Sequence, residues 1–182
     1  PTEGDRLLFY FAGHGIARNS EDGPKGFLIP QDATLGKWET YLPMQDLNTA
    51  LSKLNCHHLL VILDCCFAGN FRWSSHRNVI PEFETIHREH YDRFIRYPAW
   101  QAITSAAHNQ EALDYTDERG IAPDHQHSPF AKALINALKD MKADLTGDGV
   151  ITAPELYLYL RDSLMDKDGL SELQTAGLWP LQ

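Results

Sequence analysis

Three short apolar runs constrain the fold of this chain more than any other feature of its sequence. They span Arg6–Ala12, Leu59–Leu63 and Trp100–Ser105. Continuous apolar runs of this kind are typical of strands that are buried on both faces of a parallel sheet. Helix-like segments separate the runs, and strands that alternate with helices are typical of layered α/β domains. We therefore predict a three-layer α/β fold, with a mostly parallel central sheet and helices on both faces.

The rest of the chain supplies the helices and two shorter strands. Apolar side chains at helical spacing predict helices at Pro43–Leu54, Pro129–Met141 and Pro154–Met165. Two short apolar segments, Gly26–Pro30 and Leu178–Leu181, are predicted to be further strands.

Two long polar stretches interrupt this pattern. Phe71–Tyr97 is rich in Arg, His and Glu and is predicted to be a loop with a helix near Glu82–Phe94, and Asp117–Ser128 is predicted to be a second loop. Loops of this length in compact domains usually have a function or move.

The bulk composition excludes several classes of function. The 182 residues suit one domain with a sizeable core, and a net charge of -9 without a basic block argues against nucleic-acid contact. No apolar run approaches the length of a membrane span, and no signal-peptide pattern is present, so no membrane contact is expected. Three cysteines, two of them adjacent, do not make a disulfide framework. A reducing, cytoplasmic location is predicted.

His14 and Cys66 are the candidate reactive residues, because each follows an apolar run and lies beside glycine. Parallel strands place reactive groups just past their carboxyl ends, where a His and a Cys can form a base and a nucleophile. A free thiol is mostly protonated at neutral pH, so a catalytic Cys needs such a base. Side chains alternate along a strand, so only one of Cys65 and Cys66 faces the His, and periodicity does not tell which.

Two motifs around these residues resemble those of the caspase-like cysteine peptidases. Tyr10-Phe-Ala-Gly-His14-Gly15 is similar to the family's histidine motif, and Asp64-Cys65-Cys66-Phe-Ala-Gly69 to its cysteine motif. The resemblance runs from about Asp5 to Pro180 and is closer to bacterial caspase-like proteins and metacaspases than to animal caspases. It implies that Cys66, two residues after the Asp, is the nucleophile, and that Cys65 is a buried neighbour.

The glycines beside His14 allow close backbone approach, and they suggest how charge on the substrate is stabilised. The amides of Gly15 and Cys66 are predicted to donate to the oxyanion that forms when the thiolate attacks a peptide carbonyl. No metal or organic cofactor is required for this chemistry.

Two carboxylates are candidates for substrate binding. In metacaspases and paracaspases acidic residues receive an Arg or Lys on the amino-terminal side of the cleaved bond, the P1 position. The resemblance implies that Asp64 and Glu111 do so here. The alternatives are a hydrogen-bonded carboxylate at a strand end for Asp64, and a solvated loop charge for Glu111.

The sequence therefore predicts a cysteine endopeptidase with a Cys–His dyad that cleaves proteins or peptides after Arg or Lys. The resemblance implies a regulated defence or cell-death response. The alternative is a catalytically silent caspase-like scaffold that binds partners. Family members have an earlier strand and helices, so residues 1–182 are expected to be a peptidase domain that lacks them. We expect the chain to be part of a longer multidomain protein whose other segments are its partners.

Residues 144–155 fit the spacing of a calcium-binding loop, with oxygen ligands on Asp144, Thr146, Asp148 and Glu155. The competing interpretation is a capping box, in which Thr152 and Glu155 together cap the following helix. Calcium is thus an optional ligand in this prediction.

Overall fold

The structure is a computed structural model that describes residues 1–21, 23–66, 68, 71, 91–106, 127–164 and 176–181. Its strands and helices are numbered along the chain. They are β1 (Arg6–Ala12), β2 (His14–Ser20), β3 (Gly23–Ile29), a 3₁₀ turn (Trp38–Thr40), β4 (Leu42–Pro43), α1 (Met44–Ser52), β5 (His58–Asp64), α2 (Tyr91–Arg96), β6 (Ala99–Thr104), α3 (Pro129–Lys139), α4 (Ala153–Leu164) and β7 (Gly177–Pro180).

The central sheet contains the three apolar runs. Among the described residues its strand order is β1-β5-β6-β7, with β1, β5 and β6 parallel and β7 antiparallel to β6. Ala12 pairs with Asp64 at the carboxyl ends of β1 and β5, and Leu63 pairs with Thr104 of β6. The predicted mostly parallel sheet is confirmed.

Alternate residues of β5 face opposite layers of the domain, which is why its run is apolar throughout. Leu59, Val61 and Leu63 pack in a core that includes residues of α1, while Ile62 packs in a core with residues of α3 and α4. The three-layer arrangement, with helices on both faces of the sheet, is confirmed for the described residues.

A second sheet, β2-β3-β4, follows β1 directly and was only partly predicted. β2 and β3 form an antiparallel hairpin in which His14 pairs with Ile29 and Gly15 with Leu28. The Gly26–Pro30 segment was recognised, but β2 was not, because it lacks an alternating apolar pattern. Pairing with β3 makes β2 a strand despite its composition.

The helices lie where the apolar spacing predicted them, with ends shifted by at most two residues. Met141 has φ 52°, a left-handed conformation that a helix cannot contain, which explains why α3 ends before it. α2 overlaps the end of the segment predicted to be a helix at Glu82–Phe94, and the rest of that prediction, residues 82–90, falls outside the described residues. No described helix is long and apolar enough to cross a membrane.

Candidate functional site

The parallel register of β1 and β5 brings His14 and Cys66 to the same edge of the sheet. Ala12 pairs with Asp64, and each candidate lies two residues beyond its member of that pair. His14 is exposed as the first residue of β2, and Cys66 is half-buried in the turn after β5. The predicted meeting of the two segments at the carboxyl ends of parallel strands therefore agrees with the described backbone.

Backbone contacts on both sides of His14 hold it against the Cys66 turn. The Gly13 amide donates to the carbonyl of Asp64 at 3.1 Å. Gly15 lies so close to Cys66 that an added Cβ would overlap the Cys66 carbonyl oxygen and lie 3.3 Å from Cys65 Sγ. A side chain at position 15 would push the two segments apart, so glycine is needed there for close approach.

Cys65 and Cys66 lie in different environments. Cys65 is 1% exposed and packs in the core that includes α1. Burial, and then the negative charges of Asp64 and Cys66, raises the pKa of Cys65 to about 12. Only a very small fraction of such a thiol is ionised at neutral pH, and the thiolate is the nucleophile. Of the two adjacent cysteines, Cys66 is the better placed for reaction.

Ser105 braces the turn that carries Cys66. It is fully buried, directly after β6, and its Oγ accepts a hydrogen bond from the Cys65 amide at 3.1 Å and donates one to the Cys65 carbonyl at 3.4 Å. The Ser105 amide also donates to the Leu63 carbonyl at 2.9 Å. Sequence reasoning placed Ser105 inside a strand and missed this role, because a serine after an apolar run gives no signal of its partner.

Asp64 is 6% exposed and lies on the face of the sheet that α3 covers. Its carboxylate accepts a hydrogen bond from Ser128 Oγ. Tyr10 pairs with Ile62 and so lies on the same face, where burial, and then the negative charge of Asp64, raises the pKa of Tyr10. The alternative for Asp64, a hydrogen-bonded carboxylate at a strand end, describes its observed contact, and its substrate-binding role stays a prediction. Glu111 lies outside the described residues.

The oxyanion donors, the amides of Gly15 and Cys66, remain predictions. The Gly13 amide already donates to the backbone carbonyl of Asp64, so it is not available as an oxyanion donor beside His14. The contact between Gly15 and Cys66 is made by the Cys66 carbonyl, and it brings the two segments together without fixing where their amides point.

The 144–155 loop is held together by hydrogen bonds between its own residues. The Asp144 carboxylate accepts hydrogen bonds from the amides of Gly147, Asp148 and Gly149 at 2.8–3.1 Å. Both glycines have positive φ, which side chains other than glycine rarely adopt. In the described residues, no group of three or more His, Cys, Asp and Glu side chains is arranged to hold a metal ion.

The capping box at the start of α4 is confirmed. The Thr152 amide and hydroxyl donate to Glu155 Oε2 at 2.9 and 2.7 Å, and the Glu155 amide donates back to Thr152 Oγ1 at 3.3 Å. Glu155 Oε1 also accepts from the amide and hydroxyl of Thr146 at 3.2 and 3.1 Å. Glu155 is 2% exposed, so these donors compensate the loss of water around its carboxylate. Calcium binding stays a prediction.

Thr152→Ala is expected to lower the free energy of unfolding by about 1 kcal/mol, because it removes the helix cap. Urea denaturation with and without calcium measures this loss, which should be the same in both conditions.

If the loop also binds calcium, the ion should raise the melting temperature of the wild type and leave that of Asp144→Ala unchanged. A titration without heat and without a melting shift would contradict calcium binding, and an unchanged stability of Thr152→Ala would contradict the cap.

A comparison with protein-family models identifies the family of this chain. The model of the caspase domain, a cysteine peptidase family, matches residues 1–168. The chain therefore belongs to the caspase domain family. No curated protein sequence matches it.

A solved structure is similar to the whole described architecture. It is the crystal structure of a protein from Geobacter sulfurreducens, with a TM-score of 0.55 and 16% sequence identity. The match covers 99% of this chain and 67% of that one. At this level of identity the likeness supports the fold alone.

Proposed function

We propose that this domain is a cysteine endopeptidase in which Cys66 is the nucleophile and His14 the general acid and base. The observation that carries the proposal is the backbone contact between Gly15 and Cys66, which joins the His and Cys segments directly. The half-buried environment of Cys66 and the pKa of about 12 for Cys65 favour Cys66 as the reacting thiol. Membership of a cysteine peptidase family supports the same chemistry.

The proposed reaction proceeds through a covalent thioester. His14 accepts the thiol proton, and the Cys66 thiolate attacks the carbonyl carbon of the substrate to form a C–S bond. The resulting oxyanion is stabilised by the Gly15 and Cys66 amides. The His14 imidazolium then gives its proton to the leaving amine as the C–N bond breaks. Water, deprotonated by His14, attacks the thioester, the C–S bond breaks, and the thiol is restored.

The proposed substrates are proteins or peptides with Arg or Lys at P1. Asp64 supports this specificity, because its carboxylate lies two residues before the nucleophile on the side of the sheet where Tyr10 and α3 lie. A buried carboxylate that pairs with a cationic side chain discriminates strongly against neutral and acidic residues, because an unmatched buried charge is costly. Glu111 is proposed as a second acid of the same pocket.

Asp64→Asn should lower the ratio of cleavage after Arg to cleavage after Gln by at least about tenfold, because it removes the pairing charge and keeps the shape of the side chain. The ratio is measured on two peptides that differ only at P1. Asp144→Asn is the matched control, since it makes the same chemical change at a carboxylate in the 144–155 loop. Efficient wild-type cleavage after Asp would overturn the P1 proposal. A wild type that cleaves nothing in a P1 library would favour the scaffold function instead.

The setting we propose is a regulated defence or cell-death response in the cytoplasm. It rests on the resemblance to bacterial caspase-like proteins and on the need of a thiolate nucleophile for a reducing environment. Expression of the wild type and Cys66→Ala in the source cell, under the stress that triggers the response, tests it. Cell loss with the wild type alone is expected, and equal survival would contradict the setting.

A further inference from the structure

Ser128 makes two hydrogen bonds with one hydroxyl group. It is the residue before α3, and its Oγ accepts a hydrogen bond from the Ala131 amide at 3.0 Å, which caps the helix. The same Oγ donates to Asp64 Oδ2. Because a hydroxyl has a single hydrogen, the bond to Asp64 uses the only proton that Ser128 has to give.

The position of this hydroxyl is set by the helix and not by the side chain alone. Pro129 is in the first turn of α3, and Phe130, Ala133 and Leu134 anchor that turn in the core below it. Rotation of the Ser128 side chain away from Asp64 would also displace the oxygen that caps the Ala131 amide, so the cap opposes that rotation. Serine also has few side-chain rotamers, so holding its hydroxyl in this hydrogen bond costs little conformational entropy.

The partial positive charge at the amino-terminal end of α3 favours an ionised Asp64 carboxylate. α3 has 11 residues, and the amino-terminal end of a helix carries a partial positive charge. The Ala131 amide, the Ser128 hydroxyl and the Asp64 carboxylate form a chain in which each hydrogen bond polarises the next. A carboxylate that is 6% exposed depends on such donors to remain charged.

From this geometry we propose that Ser128 is a positioning residue for substrate selection. It holds the Asp64 carboxylate charged and in one orientation, so that the carboxylate can receive the cationic P1 side chain. The inference rests on the proposed function, and it adds a residue that lies 64 positions away in sequence from the pocket acid. Ser128 acts only through Asp64 and does not touch the reacting atoms.

The test separates the hydrogen bond to Asp64 from the cap of α3. Ser128→Gly removes the hydroxyl but remains an acceptable capping residue, whereas Ser128→Thr keeps both hydrogen bonds. Ser128→Gly should raise the KM for a P1-Arg peptide about tenfold and change kcat by less than about threefold, because Asp64 loses the charge-assisted hydrogen bond that orients its carboxylate for the P1 side chain. Ser128→Thr should remain close to the wild type. Ser128→Ala, which lacks the donor and is also a poor capping residue, should raise the KM in the same way and lower the free energy of unfolding more than Ser128→Gly does.

The decisive comparison is a double-mutant cycle. In the Asp64→Asn background, Ser128→Gly should have little further effect on the P1-Arg to P1-Gln ratio, because the carboxylate through which Ser128 acts is absent. An equal loss in both backgrounds, a loss confined to kcat, or no rescue by threonine would overturn the proposal and leave Ser128 as a helix cap. Cleavage by the wild type tests the proposed function separately. If the wild type does not prefer basic P1 residues, the proposed function and the role of Ser128 are both wrong. If the wild type has this preference and Ser128→Gly leaves it unchanged, only the role of Ser128 is wrong.

Discussion

Cys66→Ala is expected to abolish peptide cleavage, and His14→Ala to lower kcat by at least about a thousandfold, because the first removes the nucleophile and the second removes the base that activates it. Both residues are at least partly exposed, so the folded state should survive each change. Cleavage of a P1-Arg peptide, together with circular dichroism to check folding, measures the effect. The two losses should not add in the double variant, since the dyad acts as a unit.

Cys65→Ala is the matched control for the nucleophile. The adjacent thiol has a pKa of about 12 and lies in the core, so its loss should preserve most of the activity. The small cavity that it leaves should lower the free energy of unfolding by about 1 kcal/mol. An inactive Cys65→Ala variant beside an active Cys66→Ala variant would show that the nucleophile is assigned wrongly.

Gly15→Ala is expected to lower kcat at least about a hundredfold, although alanine brings no new chemistry. Its Cβ would overlap the Cys66 carbonyl oxygen, so the segment that carries His14 must move away from the segment that carries Cys66. A displacement of about 1 Å in a catalytic pair is enough for a loss of this size. Steady-state kinetics measures it, and the KM should change less than kcat.

Gly4→Ala is the control for this glycine. An added Cβ at position 4 has no heavy atom within 4 Å, and Gly4 has no positive φ. Its substitution should leave both activity and melting temperature close to those of the wild type. If Gly15→Ala were as active as Gly4→Ala, the close contact between the two segments would not be required for the reaction.

The layers and the main strands could be predicted because their signals are local. The apolar runs of β1, β5 and β6 follow from burial on both faces of a sheet, and the leucine spacing of the helices follows from burial on one side. The β2 strand could not be predicted in this way. It is formed by its pairing with β3, and its own residues do not alternate between apolar and polar.

Residues of the candidate site could also be predicted only where their signal is local. His14 and Cys66 were predicted from their positions directly after strands. The choice between Cys65 and Cys66 required the resemblance to the family, because alternation along a strand shows that the two thiols face opposite sides but not which of them faces His14. The structure adds the burial that distinguishes the two thiols. Ser105 and Ser128 were missed because each has a hydrogen-bond partner that is distant in sequence. A serine before a Pro-Phe pair predicts a helix cap, but it does not reveal a bond to Asp64.

The assignment of Cys66 and His14 as the reacting pair is tested by covalent labelling of the protein with a P1-Arg peptide that carries an electrophilic carbonyl warhead. Intact mass and peptide mapping then identify the modified residue. This assignment predicts one adduct, on Cys66, which forms much more slowly in His14→Ala and does not form in Cys66→Ala. An adduct on Cys65 or Cys56, an unchanged labelling rate in His14→Ala, or no adduct at all would contradict it.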